Sequence, residues 1–317
     1  MHEFIARALY HYQVHLLYAS IVGCAAWLLT SIRRGSATTK YWIWVAASLN
    51  FILPVGALLD WLWSAHLSWA RPLGAIGDVA NNISQGRTAV IVGVVWLIGG
   101  VLMSARLWLR LRAERRDAQA TAGQSADETN PDFISAGVPV RFAASRQAPA
   151  VDGVLHPYIS LPRGINRLLS ERELNAVLIH EMTHARRRDN LIRLIYEAGL
   201  CALWFHPLVW IAGSRLALYR ELSCDESVID RAHGGDLVSA LAKLANPEEA
   251  YLLQATASSF LGHRLARLAA QPQRKSRGAS TLLALVFATV LIAGVLETVA
   301  HTACCFVTRV QACERKH

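Results

Sequence analysis

Four stretches of this chain approach or reach the length of a bilayer span, and they limit what it can fold into more than any other feature. They lie at residues 13–30, 41–63, 88–109 and 281–299. A spanning helix needs about 20 mostly apolar residues. With 317 residues, 53% of them hydrophobic, the chain has room for several spans and one sizeable domain. The first stretch does not read as a cleaved signal peptide. Little positive charge precedes it, no small-residue cleavage site follows, and Arg33-Arg34 closes it as a stop-transfer flank would.

The net charge of +9 invites a nucleic-acid reading, but its distribution follows the spans. Arg33, Arg34 and Lys40 fill the loop after the first stretch. Arg106, Arg110, Arg112, Arg115 and Arg116 follow the third, and Arg264, Arg267, Arg274, Lys275 and Arg277 precede the fourth. The loop at 64–87 carries only Arg71 and Arg87 against Asp78. The positive-inside rule then places the N-terminus and the C-terminal tail outside and the large central segment in the cytoplasm. Basic flanks beside a bilayer are explained by anionic lipid more economically than by nucleic acid. The expected location is the cell inner (cytoplasmic) membrane, with membrane lipid as a partner and no direct nucleic-acid contact.

Within the central segment, His180-Glu181-Met182-Thr183-His184 reads H-E-x-x-H. Two histidines four apart stand one turn above each other on a helix, so both imidazoles can reach one Zn²⁺. Glu181 lies beside them as the general base for a zinc-activated water. The surrounding signals support a helix here. Ser170-Glu171-Arg172-Glu173 is a capping box, and the helix it starts should run to about Arg187. A second helix is expected at 190–204. His206-Pro207 breaks it, and a third starts at Pro207 and ends at Gly234-Gly235. Short strands are expected at 138–142 and 154–161, the second as the rim of the cleft, where an extended substrate could add as a strand. The polar stretch 117–137 reads as a linker.

The run 191–210 could pass for a fifth span. It contains Arg193, Glu197 and a proline break. If it crossed the bilayer, no downstream residue could complete the metal site, so it reads as a buried helix that touches the membrane.

A catalytic zinc usually has three protein ligands and an open position. Asn190 occupies the place where an extended motif would carry a third histidine, which excludes that class. The remaining candidates are Glu197, His206, Glu221 and Glu226. Glu197 can pair locally with Arg193, and His206 sits at a helix boundary. Glu221 lies mid-helix on a segment that can return antiparallel to the H-E-x-x-H helix, with Asp225 one turn later on the same face. A carboxylate there could hold a histidine ligand through its second ring nitrogen. Glu226 points about 100° away from Asp225, toward solvent or arginines.

These segments resemble the BlaR/MecR-type antirepressor family of membrane zinc metallopeptidases, which are gluzincin-like. The matching residues are Leu161-Pro162, LSERELNAVLIHEMTHARRRDN at 169–190, WFHPLVW at 204–210 and RELSCDESV at 220–228. The resemblance implies a mainly α membrane protein. Four transmembrane helices would carry a cytoplasmic α+β zincin-like metalloprotease domain between spans three and four. The implied division is 1–116 for three spans, 117–137 for the linker, 138–272 for the peptidase, 273–300 for span four with its basic flank, and 301–317 for an outer tail. It further implies His180, His184 and Glu221 as zinc ligands, Glu181 as the catalytic base and Asp225 as the acidic partner behind a ligand. Relatives cleave, or trigger loss of, a cytoplasmic winged-helix repressor, which makes such a repressor the expected substrate. The well-known beta-lactam receptors carry a penicillin-binding sensor after the last span. About 17 residues follow it here, so the beta-lactam signal is not carried over.

The expected function is therefore a zinc endopeptidase acting on a repressor in transmembrane signalling. The alternatives are a membrane quality-control zinc protease and a receptor that holds a repressor without cleaving it. A homodimer is compatible with each. His206 and Tyr219 are the residues considered for stabilising the transition state. Cys201 and Cys224 read as reduced core residues and Cys24 as intramembrane. Cys304, Cys305 and Cys313, with His301 and His317, form a thiol- and imidazole-bearing tail.

Overall fold

The computed structural model describes residues 2–32, 35–53, 87–124, 137–143, 148–231 and 233–244, together with 264, 268, 280–288 and 291. Among the described residues the chain is mainly helical with one small sheet. In order, the elements are α1 (His2–Ser31), α2 (Ala37–Ile52), α3 (Arg87–Gln124), β1 (Val140–Ala143), β2 (Ala150–Asp152), β3 (Tyr158–Pro162), α4 (Ile165–Leu168), α5 (Glu171–Arg187), α6 (Asp189–Leu203), α7 (Pro207–Ile229) and α8 (Gly234–Leu244).

Among the described residues, one helical stretch is long and apolar enough to cross a membrane, Val90–Arg116 within α3, and a shorter apolar one covers His15–Ser31. Of expected span two only the part in α2 is described, and of span four only 280–288 and 291. The rest of both, the loop at 64–86 and the tail at 301–317 lie outside the described residues. α3 continues to Gln124, well into the stretch expected to be a linker.

Local chemistry sets the helix ends. Ser36 caps α2 by accepting from Thr39 N at 3.1 Å. Lys40, assigned above to a cytoplasmic loop, is buried in the first turn of α2. Its Nζ donates to Thr30 O at 2.9 Å and Ile32 O at 2.5 Å, so the cation closes the carbonyl end of α1. Glu226 is buried as well, not turned to solvent. It accepts from Thr38 N and Oγ1, both at 3.1 Å, at the start of α2.

The sheet has the order β1-β3-β2. β1 runs parallel to β3, with Val140 opposite Ile159, and β2 runs antiparallel, with Val151 opposite Ile159. The strand expected at 154–161 is thus the central one, covered on both sides. The edges are β1 and β2, and the sequence pattern did not reveal β2. Gly153 ends β2 at φ 81°, and a Cβ there would stand 2.4 Å from His156 O, so glycine is required.

α7 joins two hydrophobic clusters. Its Leu216, Tyr219 and Leu222 pack with Val22 and Ala26 of α1, Tyr41 and Trp44 of α2, and Leu283 and Phe287. Farther along, Val228 packs with Ile159, Leu161, Leu174, Val177, Leu237 and Leu268. Two aromatic side chains of the first cluster pair their polar atoms with the end of α1: Trp44 Nε1 donates to Thr30 Oγ1 at 3.1 Å and Tyr219 OH to Thr30 O at 3.0 Å.

α6 and α7 form a hairpin around His206-Pro207. Tyr196 OH ties its arms together by donating to Val209 O at 2.9 Å. Phe205, Trp210 and Ile211 near the tip are exposed. Asp189 opens α6, and Glu221 lies about four turns into α7. The hairpin therefore goes out and returns, and both its ends arrive at the H-E-x-x-H helix.

Candidate metal site

The capping box forms as expected. Ser170 N donates to Glu173 Oε2 at 2.7 Å, and Glu173 N donates to Ser170 Oγ at 3.4 Å. From that start α5 presents His180, Glu181 and His184 toward one cleft, and Arg188, in the left-handed region at φ 56°, turns the chain directly into α6.

His180 Nε2 and His184 Nε2 are 3.2 Å apart. Glu221 Oε2 lies 3.5 Å from the first and 3.7 Å from the second. Zinc bound tetrahedrally to nitrogen and oxygen at ~2.1 Å would separate its ligand atoms by about 3.4 Å. The triangle of donor atoms fits a single ion, and two imidazoles with one carboxylate suit zinc.

Behind each histidine stands a carboxylate, and behind each carboxylate an arginine. His184 Nδ1 is 2.7 Å from Asp189 Oδ2, which also accepts from Arg187 Nη2 at 2.6 Å. His180 Nδ1 is 3.1 Å from Asp225 Oδ1, and Asp225 takes a two-point contact from Arg264, at 2.9 Å through Nε and 2.8 Å through Nη2. Tyr41 of α2 adds a hydrogen bond to Asp189 Oδ1 at 2.7 Å, so α2 reaches the site directly.

The charges are strongly coupled. Burial pulls His180 down, but Asp225 and Glu221 outweigh it and raise the imidazole to about 9. His184 is likewise depressed by burial but raised well above its usual value by Asp189, Cys224 and Glu221. Burial raises Glu221, yet the two histidines and Arg220 hold it well below the usual carboxylate range. Such a site favours positive charge between its carboxylates, whether carried by protons or by a metal cation.

The ligand triangle faces a cleft of about 440 Å³ whose walls include Glu181, Asn190, Arg220, Arg264 and the β2 residues Ala150 and Val151. Asn190 Nδ2 donates to Val151 O at 2.9 Å and Gly153 O at 3.0 Å, fixing the edge strand against the start of α6. The rim strand is thus β2 and not the segment at 154–161.

The structure brings together His180, Glu181, His184, Glu221 and Asp225. It does not bring His206 or Tyr219 to the cleft. The His206 ring is 3.2 Å from Ser20 Oγ and packs on Phe51, while Tyr219 donates its hydroxyl to the end of α1. Helix α7 turns these residues toward α1 and α2 and leaves only the Glu221 face for α5. Glu197 pairs with Arg193 at 3.1 Å and with Arg110, away from the ligand triangle. Sequence reasoning missed Asp189 and Arg264. Asp189 carried a readable signal, an acidic residue at the first position of the helix that follows the motif. By sequence Arg264 belongs with the basic flank of span four. Nothing local marks it as buried against Asp225.

A family model described as BlaR1 peptidase M56 matches residues 13–268. The chain belongs to this family. BlaR1 peptidase M56 membership implies a metallopeptidase, and the match takes in every residue of the site, Arg264 included. Over 249 residues the chain is 28% identical to Regulatory protein BlaR1 of Bacillus licheniformis, covering 68% of this chain and 41% of that protein. Over 178 residues it is 21% identical to the methicillin resistance mecR1 protein of Staphylococcus aureus, covering 52% of this chain and 30% of that protein. A mecR1 protein of Staphylococcus epidermidis matches to the same extent. The chain thus spans less than half the length of these relatives.

Proposed function

We propose that this chain is an integral membrane zinc endopeptidase whose active site faces the cytoplasm and whose substrate is a winged-helix transcriptional repressor. One observation carries the peptidase reading: the His180–His184–Glu221 triangle opens onto a cleft that Glu181 also lines. Zinc held by the triangle would supply the Lewis acid that activates water and polarises a peptide carbonyl. Glu181 accepts the water proton at its carboxylate and delivers it to the leaving amine nitrogen. Asp189 and Asp225 hold the imidazoles through Nδ1, which leaves Nε2 of each ring for the metal. Arg220 and Arg264 flank Glu221 at 2.9 and 3.5 Å and keep it anionic. The β2 wall, fixed by Asn190, lines up an extended peptide.

Four spans, with both termini outside, agree with the exposed apolar face of α3 and with the loop charges. In this reading the tip of the α6–α7 hairpin dips into the membrane and comes back, as the exposed Phe205, Trp210 and Ile211 suggest. The domain division given above belongs to the same proposal, with one difference. α1, α2 and α7 share a core, so spans and peptidase are one packed unit.

The test is direct. The purified full chain, loaded with zinc, is incubated with a winged-helix repressor from the same organism, with and without a chelator. Chelator-sensitive cleavage is expected. Binding of the intact repressor without cleavage would favour the receptor alternative.

A further inference from the structure

A second cleft, about 370 Å³, opens between α3, α6 and α7. Its lining combines apolar and charged side chains, Glu197 among them. Met103, Leu107 and Leu200 make an apolar part, and Arg106, Arg110 and Arg193 bring three guanidinium groups to the rest. Glu197 pairs with both Arg110 and Arg193, and Glu114 pairs with Arg110 at 2.9 Å. Among the described residues, no carboxylate is placed in ion-pair range of Arg106. Three guanidinium groups thus face two carboxylates, so the cluster carries more positive charge than its carboxylates offset; burial, and then repulsion from Arg110 and Arg220, pushes Arg193 down to about 10.

The position along α3 is as telling as the charge. Val101, Leu102 and Leu109 on α3 are exposed apolar residues, and Arg106 and Arg110 are the first cations on that stretch. Trp108 is exposed at the same level with the Arg112 guanidinium 4.9 Å from its ring centre. Aromatic rings and arginines at the end of an apolar run mark the interface between acyl chains and headgroups.

We propose that this cleft binds an anionic phospholipid, its phosphate on Arg106, Arg110 and Arg193 and an acyl chain along Met103, Leu107 and Leu200. The proposal rests on the reading that α3 crosses the membrane. Arg193 lines both this cleft and the metal cleft, and it sits on the helix whose first residues, Asp189 and Asn190, hold His184 and β2.

The experiment uses the purified full chain in a neutral detergent. Binding of dihexanoyl phosphatidylglycerol is compared with that of dihexanoyl phosphatidylcholine and of inorganic phosphate at equal ionic strength. Retained lipid is read by native mass spectrometry and thermal midpoint. Phosphatidylglycerol should bind and stabilise; the other two should not. Arg106→Gln should weaken it about five- to tenfold, as expected for one arginine at a lipid surface. Arg116→Gln, which removes the same charge outside the cleft, should change it less than about twofold. Equal binding of the zwitterionic lipid, an equal effect of phosphate alone, or equal losses in the two variants would each overturn the site. Peptidase activity is measured on the same preparation. An inactive protein that still selects phosphatidylglycerol removes the proposed function and leaves this site standing; an active one without that selectivity does the reverse.

Discussion

Asp189 lies 2.7 Å from His184 and Asp225 lies 3.1 Å from His180, so the two histidines of one helix are each held from behind by a carboxylate from a different helix. Asp189 comes from α6 and Asp225 from α7. The hairpin made by these two helices thus grips both rings at once, and the same α7 brings Glu221 between them.

That arrangement predicts equal importance for a residue inside the motif's downstream run and one 36 positions later. Asp189→Asn and Asp225→Asn should each lower zinc affinity or activity by about 10–100-fold. Metal titration of the two variants checks this. If Asp189→Asn binds zinc as the parent does, the symmetry has no functional content.

Glu181→Gln should separate metal from chemistry. Glu181 is not one of the three clustered donor residues, yet it lines their cleft. The variant should keep its zinc and lose hydrolysis by at least about 10²-fold. Zinc content and cleavage rate are measured on the same sample, and full activity would remove the assigned role.

Among the glutamates of α6 and α7, only Glu221 should strip the metal when truncated. Glu221→Ala removes one corner of the triangle. Glu197→Ala should leave zinc in place, because its partners are Arg193 and Arg110. Glu226→Ala should also keep zinc but cost about 0.5–2 kcal/mol of stability, since it removes a cap from α2. Metal analysis combined with thermal unfolding distinguishes the three; zinc loss in Glu197→Ala alone would show the helix assignment to be wrong.

What could be read from the sequence was local. The capping box, the H-E-x-x-H spacing and the His206-Pro207 break each depend on residues within about one turn, and the structure places α5, α6 and the start of α7 within a residue of expectation. Glu221 and Asp225 could be placed on one face by helical spacing alone. The errors came where a distant element decides. The angle of Glu226 from Asp225 points it to solvent or arginines, and the solvent half of that reading fails because α2 covers that side of α7. Lys40 counted as loop charge because its acceptors belong to the end of another helix. Arg264 looked like one of several flanking cations until Asp225 claimed it from 39 residues away. The three-residue strand β2 was too short for any alternation to show, and Asn190, taken only as the absence of a histidine, turns out to hold it.

The last prediction concerns acid. Lys243 at 2.7 Å, then Ser239 and the Ser170 N–H, hold the Glu173 carboxyl down at about 2, against an ordinary value of 4.5. A carboxyl depressed in the folded state releases its proton more readily there than in the unfolded chain. Its contribution is therefore fully present above pH 4.5 and is lost as pH falls toward 2. Glu173→Gln keeps an acceptor for the Ser170 N–H but gives up the charge facing Lys243. The variant should unfold at a lower temperature than the parent at pH 7, and the gap should narrow as pH is lowered from about 4.5 toward 2. Using metal-free protein for both keeps zinc loss out of the comparison, and the histidines titrate alike in the two chains. A gap that stays constant across that range would show that the ion pair with Lys243 contributes nothing and that Glu173 acts only as the neutral half of its capping box.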